Sequence, residues 1–310
     1  MLNHTVPEAL MPALLLAGVA VCGSAQANEG PTAYLPGATT GIPIGALPPP
    51  GVYVAGSVYT PYGEVVDGDG NTTPIMIANH SASINVTWAS PYTILGARYG
   101  ASATQIAAVH VFDAKKVGGN SSSTTGLFNT IIQPVILSWD VGSDVHVSTA
   151  HAVYLNNGQY SSRNGVRSEK AFANNYWSYQ PSVAVSYLPK NWNLTANFLF
   201  TTNSINRETH YRTGDTFYAD FTAARTSGKT TAGLIGSVVQ QVEDDRVRGV
   251  RAGNGNRTQH FMAGPMIAHD FGKFSSRRAI WRTCIPATTS TWISPFSRSA
   301  ESCELGAALA

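Results

Sequence analysis

The sequence predicts an all-β chain folded as an antiparallel, up-and-down transmembrane β-barrel, and three observations predict it. Connectors alternate in length: 140–143, 189–191 and 227–229 are short, whereas 113–125, 156–174, 203–214 and 243–257 are long and polar. Bacterial barrels have this asymmetry, because their turns on the periplasmic side are tight and their outward loops are free to grow. The segments between connectors alternate apolar and polar residues, and most reach ten residues or more, the length a tilted strand needs to cross a bilayer. Aromatics gather at the segment ends, as Tyr59, Tyr62, Tyr92, Trp139, Trp192 and Phe271 do, which suits the two membrane interfaces.

Composition narrows the class. Charged residues are 12%, about half the usual share of a soluble domain. Mean hydropathy is nevertheless neutral at -0.05, so Ser, Thr, Asn, Gly and aromatics fill the deficit. That mixture suits a wall that is apolar on one side and wet on the other. Net charge is +2 with no basic run, which sets nucleic acid aside as a partner. Beyond the N-terminus no run of some 18 uncharged apolar residues occurs, so spanning by helices is excluded downstream.

Taken in order, the chain opens with an apolar stretch over 9–21 and Ala25-Gln26-Ala27, read as a signal peptide (1–27) cleaved after Ala27. Its first residues carry Glu8 and His4 but no Lys or Arg. Cys22 falls inside it, and with only Cys284 and Cys303 besides, no disulfide framework or metal cluster is implied. Residues 28–50 are rich in Gly and Pro and end in Pro48-Pro49-Pro50. Proline removes ladder donors, so this is an extended lead-in, read as a plug lying in or under the barrel.

Strands are expected at 52–62, 74–89, 92–112, 128–139, 144–155, 175–188, 192–202, 215–224, 230–242 and 259–271, within a barrel region of 51–274. Neighbouring side chains on a strand point opposite ways. Ile84, Val86 and Trp88 therefore oppose Asn85 and Thr87, and Leu194, Ala196, Phe198 and Phe200 oppose Thr195 and Asn197. Val145, Val147 and Val153 likewise oppose Asp144, His146 and Ser148. A soluble sandwich alternates too, with its apolar face inward. Strand length and aromatic placement favour the barrel.

Motifs that resemble chemistry are few. Asp67-Gly68-Asp69-Gly70-Asn71 starts like a calcium loop, but Thr72 and Ala78 stand where Gly and a bidentate Glu are needed. Gly228-Lys229-Thr230 lacks the earlier glycine of a phosphate loop, since Ala223 stands there, and reads as a strand turn. Asp244 and Asp245 lie among Arg246, Arg248 and Arg251 and read as a solvated, mixed-charge loop. No nucleophile, base and orienting group converge, so the chain is read as a non-enzyme without a cofactor. Arg98, His110, Asp144, His146 and Asp220 fall on polar faces and are the candidate lumen-lining residues.

With the strands laid out, several stretches carry a family likeness. They include Tyr34-Leu35-Pro36-Gly37-Ala38, Gly45-Ala46-Leu47-Pro48-Pro49-Pro50-Gly51-Val52-Tyr53, Gly96-Ala97-Arg98-Tyr99-Gly100, Pro134-Val135-Ile136-Leu137-Ser138-Trp139, Tyr211-Arg212-Thr213-Gly214-Asp215 and Gln240-Gln241-Val242-Glu243-Asp244-Asp245. On these the chain resembles the MetA-pathway phenol-degradation family of outer-membrane transporter proteins. The resemblance implies a barrel of about twelve strands in a Gram-negative outer membrane, with membrane lipid and small hydrophobic or aromatic solutes as partners. It implies passive uptake of those solutes. The alternatives are a secreted β-sandwich that binds a ligand, an outer-membrane enzyme of the lipase kind and a structural barrel that transports nothing. The tail 275–310 departs from the family pattern, with Arg277-Arg278, Pro286, Pro295 and a final Ala instead of Phe. It reads like a shifted reading frame, and it leaves the last two strands and the closure of the ring unspecified.

Overall fold

The computed structural model describes Glu29 and residues 32–66, 72–113, 115–168, 170–272, 274–284 and 298–309. The signal segment and the calcium-like stretch 67–71 lie outside the described residues. Long strands follow one another as β1 (Gly51–Val66), β2 (Thr72–Ile94), β3 (Ala97–Asp113), β4 (Ile131–Gly142), β5 (Val145–Tyr154) and β6 (Ser178–Tyr187). They continue as β7 (Trp192–Asn203), β8 (Thr216–Ser227), β9 (Thr230–Gln241), β10 (Gln259–Asp270), β11 (Phe274–Cys284) and β12 (Arg298–Leu309). Each pairs antiparallel with its sequence neighbours, and β12 returns to β1 from Val52↔Leu309 to Tyr62↔Arg298. The ladder is therefore an up-and-down ring of twelve strands.

The closing seam needed no clean side-chain alternation. Backbone donors and acceptors in lipid must be paired inside the protein, and β11 and β12 pair through main-chain ladders with β10, with each other and with β1. Within the tail 275–310, two segments, 279–283 and 288–296, are those the sequence offers for strand pairing, and 279–283 lies within β11. Residues 288–296 are outside the described ones.

Faces follow the pleat. Ile84, Val86 and Trp88 point out and are 56%, 40% and 41% exposed, as are Phe198 and Phe200, while Thr195 and Asn197 are buried on the inner side. Apolar side chains thus face outward from a single closed sheet, which overturns the sandwich alternative.

Prolines inside strands are absorbed by the pairing, and one expected strand break moves as a result. Pro91 suggests a break, yet β2 runs on to Ile94, and the pairing absorbs Pro91 in a register shift between Ala89 and Thr93. The turn is instead Leu95-Gly96, with φ of 52° and 75°, the doubly positive geometry of a two-residue hairpin. Pro134 sits at a similar shift between Ile132 and Val135. The connector 113–125 also holds more than loop. A strand, Ser121–Leu127, extends β3 beyond the ring.

Candidate functional site: the plugged lumen

The lead-in occupies the lumen. Its upper end lies among the long loops, where the buried Asn206 side chain donates to both Glu29 carboxylate oxygens at 3.3 and 3.2 Å. Residues 35–46 descend as consecutive turns, with Ala38 N donating to Leu35 O at 3.0 Å and Ala46 N to Pro43 O at 2.9 Å. Gly37 and Gly41 supply φ of 81° and 78° for them. The segment then joins β1 at the short-turn end.

A turn-rich chain without a ladder must find partners for its backbone elsewhere, and the inner wall supplies them. Gly41 N donates to Thr222 Oγ1 at 2.7 Å, and Asn193 Nδ2 donates to Gly41 O at 3.2 Å. Lower down, Gly45 N donates to Ser186 Oγ at 3.0 Å, while Ser148 Oγ and Ser138 Oγ each donate at 2.8 Å to the carbonyls of Ile44 and Gly45. A Cβ on Gly45 would stand 2.7 Å from both the His146 carbonyl oxygen and the Ser186 nitrogen. Only glycine lets the segment lie that close to the wall. Arg98 ends the series, donating to Leu47 O at 2.6 Å and to Pro48 O.

Midway, Asp220 is the centre of the contact. Its carboxylate accepts from Tyr34 Oη at 2.5 Å, Gly37 N at 3.1 Å, Thr39 N at 3.1 Å, Thr39 Oγ1 at 2.7 Å and Ser237 Oγ at 2.7 Å. Buried at 2% exposure, it exchanges its water contacts for these five hydrogen bonds. The Tyr34 ring also packs edge-on against Tyr218, with centroids 5.2 Å apart.

The segment does not fill the lumen. A cavity of about 650 Å³ remains between it and the wall, concentrated on the side of β1 to β4. One boundary is aliphatic, made by Leu35, Ile42, Ile44 and Leu47 of the segment. Ile42 is 37% exposed into that space. The opposite boundary mixes Val54, Ile106, Ile131 and Ile136 with polar groups. There Asn85 Nδ2 donates to Thr104 Oγ1 at 2.8 Å, Thr87 Oγ1 to Asn85 Oδ1 at 2.8 Å, and Ser102 Oγ to Gln133 Oε1 at 2.7 Å.

The structure treats the expected lumen residues differently. Arg98 and Asp220 both hold the segment. His110 is half-buried on the inward side of β3, opposite Asn79, and His146 lies inward at the short-turn end of β5. Asp144 is not on the strand wall: it is the exposed second residue of the turn Ser143-Asp144, with φ 62°. Single ionisable residues stood out in the sequence, whereas Ser138, Ser148, Ser186, Asn193 and Thr222 did not. Their only signal was the inward parity they share with every other small polar residue of the wall.

Above the segment the long loops form a roof. Phe172 packs edge-on against Phe128 with centroids 6.4 Å apart, and Arg167 donates to the carbonyls of Ala171, Phe172 and Ala173. Tyr211–Arg212, Arg246–Val247 and Val250–Arg251 form a small sheet. The pair Asp244 and Asp245 divides. Asp244 is the expected mixed-charge residue, bonded to Arg257 at 2.7 Å and Arg251 at 3.0 Å. Asp245 is instead fully buried, accepting from Tyr211 Oη, from Gly214 N at 2.7 Å and from Gln241 Nε2 at 2.6 Å. Burial pushes its carboxyl up to about 6 despite those donors. Among the described residues no cluster of His, Cys, Asp or Glu could hold a metal ion.

Comparison with known proteins adds to this geometry. The sequence profile of the family described as "Putative MetA-pathway of phenol degradation" matches residues 63–280. The fold is similar to that of the COG4313 outer membrane channel from Pseudomonas putida F1, with 8% identity over 85% of this chain and 97% of that one and a TM-score of 0.71. Likeness to the β domain of the Bordetella autotransporter BrkA is lower, with a TM-score of 0.46 at 9% identity over 84% of this chain and 100% of that one. No curated protein matches by sequence.

Proposed function

The chain belongs to the MetA-pathway phenol-degradation family, and from that premise we propose that it is an outer-membrane channel for passive uptake of small hydrophobic or aromatic solutes. The long-loop end faces the exterior, and the signal peptide 1–27 directs export. The observation that carries the reading is the amphipathic cavity beside the segment. Its volume of about 650 Å³ falls within the roughly 300–1,000 Å³ typical of small-molecule sites. A flat solute with one polar group can lay its apolar face on Ile42, Ile44 and Leu47 and turn its polar group to Asn85, Thr87 and Thr104.

Magnitudes favour passage over retention. Burying about 150 Å² of apolar surface at about 25 cal/mol per Å² gains roughly 4 kcal/mol, equivalent to millimolar binding. Occupancy that weak lets a solute leave as readily as it enters, which passive flux requires. No energy-coupling domain is needed.

Swelling of liposomes holding the purified protein tests the proposal. Phenol-sized solutes are expected to enter faster than sugars of similar mass. Equal exclusion of both would sink it and leave the structural barrel, a reading favoured by how completely the segment is hydrogen-bonded to the wall.

A further inference from the structure

Of the contacts that hold the lumen segment, two sets differ in kind. At the short-turn end the wall residues Ser138, Ser148, Ser186 and Arg98 each hold one or two backbone groups of residues 44–48. From 34 to 39, by contrast, four bonds converge on one carboxylate, coming from Tyr34 Oη, Gly37 N, Thr39 N and Thr39 Oγ1. These partners lie more than 180 positions from Asp220 in sequence. We infer that Asp220 is the latch of the segment: the residue that positions its upper half, and whose loss releases that half while the lower anchor holds.

Three features support a latch over a passive wall contact. The bonds from the segment to Asp220 all come from N–H or O–H donors, so a carboxylate satisfies them together and no neutral side chain of that size does. Removing it leaves the Gly37 N and Ser237 Oγ donors without their acceptor and reduces the Tyr34 and Thr39 donors to the bonds they make with each other, whereas removing Thr222 or Ser186 affects one or two groups. Beside the latch, Asn197 donates through Nδ2 to Thr39 Oγ1 at 3.0 Å, but its Oδ1 is buried without a partner. An orphaned acceptor penalises the seated arrangement. Seating therefore leans on Asp220. The released portion lies toward the long-loop mouth and stays attached to β1, so opening proceeds from the outside inward.

The test reads ion conductance, which does not depend on whether aromatic solutes are the cargo. Single-channel recordings in potassium chloride compare the wild type with Asp220→Ala, Asp220→Asn and Thr201→Val. Thr201 is as deeply buried on the inner wall but is bonded to Gln180 instead of to the segment. Asp220→Ala is expected to raise conductance at least about twofold by widening the path, Asp220→Asn to give an intermediate rise, and Thr201→Val to leave it unchanged. A cysteine placed by Ala38→Cys reports the same event in folded protein. It should react faster with a membrane-impermeant maleimide when Asp220 is replaced, and heat-modifiable gel mobility confirms that each variant is folded. Unchanged conductance and labelling in Asp220→Ala, or an equal rise in Thr201→Val, overturns the latch. Failure of the swelling assay alone would leave it standing.

Discussion

Two arcs of the barrel wall, β7 to β9 and β1 to β3, present the same kind of inner surface and use it differently. Both alternate outward apolar side chains with inward Ser, Thr, Asn and Gly. On β7 to β9 the inward groups Asn193, Asn197, Asp220 and Thr222 bond the lumen segment. On β1 to β3 the groups Asn85, Thr87 and Thr104 bond one another and face the cavity. Small polar side chains on a pleat can satisfy themselves laterally or satisfy a guest. Which they do depends on where the guest lies, and here its upper part, residues 34–41, lies against β7 to β9.

The largest effect should come from making the two arcs alike. Deleting 32–46 removes the guest, and we expect single-channel conductance to rise several-fold, with swelling rates rising for polar and apolar solutes together. A deletion that conducts like the wild type would mean that the segment does not limit the path.

A smaller effect should follow from prying the segment off the wall at one point. Gly45→Val puts carbon where 2.7 Å separates it from backbone on both sides, an overpacking that costs about 1–3 kcal/mol. The expected result is a lower midpoint in denaturant together with flickering between two conductance levels. A steady single level would argue that the lower anchor yields without moving the segment.

The smallest concerns the roof over the segment-bound arc. The Asp245 carboxyl is raised to about 6 by burial, so the folded loops hold its proton more tightly than the open ones do. Stability from this group is fully present below about pH 4 and is lost as pH rises through about 6, amounting to no more than about 3 kcal/mol. Hydrogen exchange at 211–215 and 241–255, corrected for intrinsic rates, should show more frequent opening at pH 7 than at pH 4. Asp245→Asn should flatten that profile. A wild-type profile sloping the other way would show that the donors from Tyr211, Gly214 and Gln241 outweigh burial.

Much of this architecture was legible residue by residue. The period of two placed Ile84, Val86, Trp88, Phe198 and Phe200 on the lipid side, and the short connectors marked one end of the barrel. Leu95-Gly96 escaped notice because Pro91 is the stronger local break signal, and only strand pairing could absorb it in a bulge. Asp245 escaped because its arginine neighbours in sequence suggest solvent, while its partners Tyr211 and Gly214 come from another loop.

Alternation is a property of adjacent residues, so the sequence by itself determined the strands, their two faces, the Pro- and Gly-rich lead-in and the barrel class. Tertiary structure alone decided that β12 would close onto β1, that residues 34–41 of the lead-in would lie against β7 to β9 and residues 44–48 against β3 to β6, and that Asp220 would hold residues 34–39. Those outcomes join groups as many as 186 positions apart. They are set by which backbone donors and acceptors are left unpaired once the ring forms, a condition no local stretch of sequence contains.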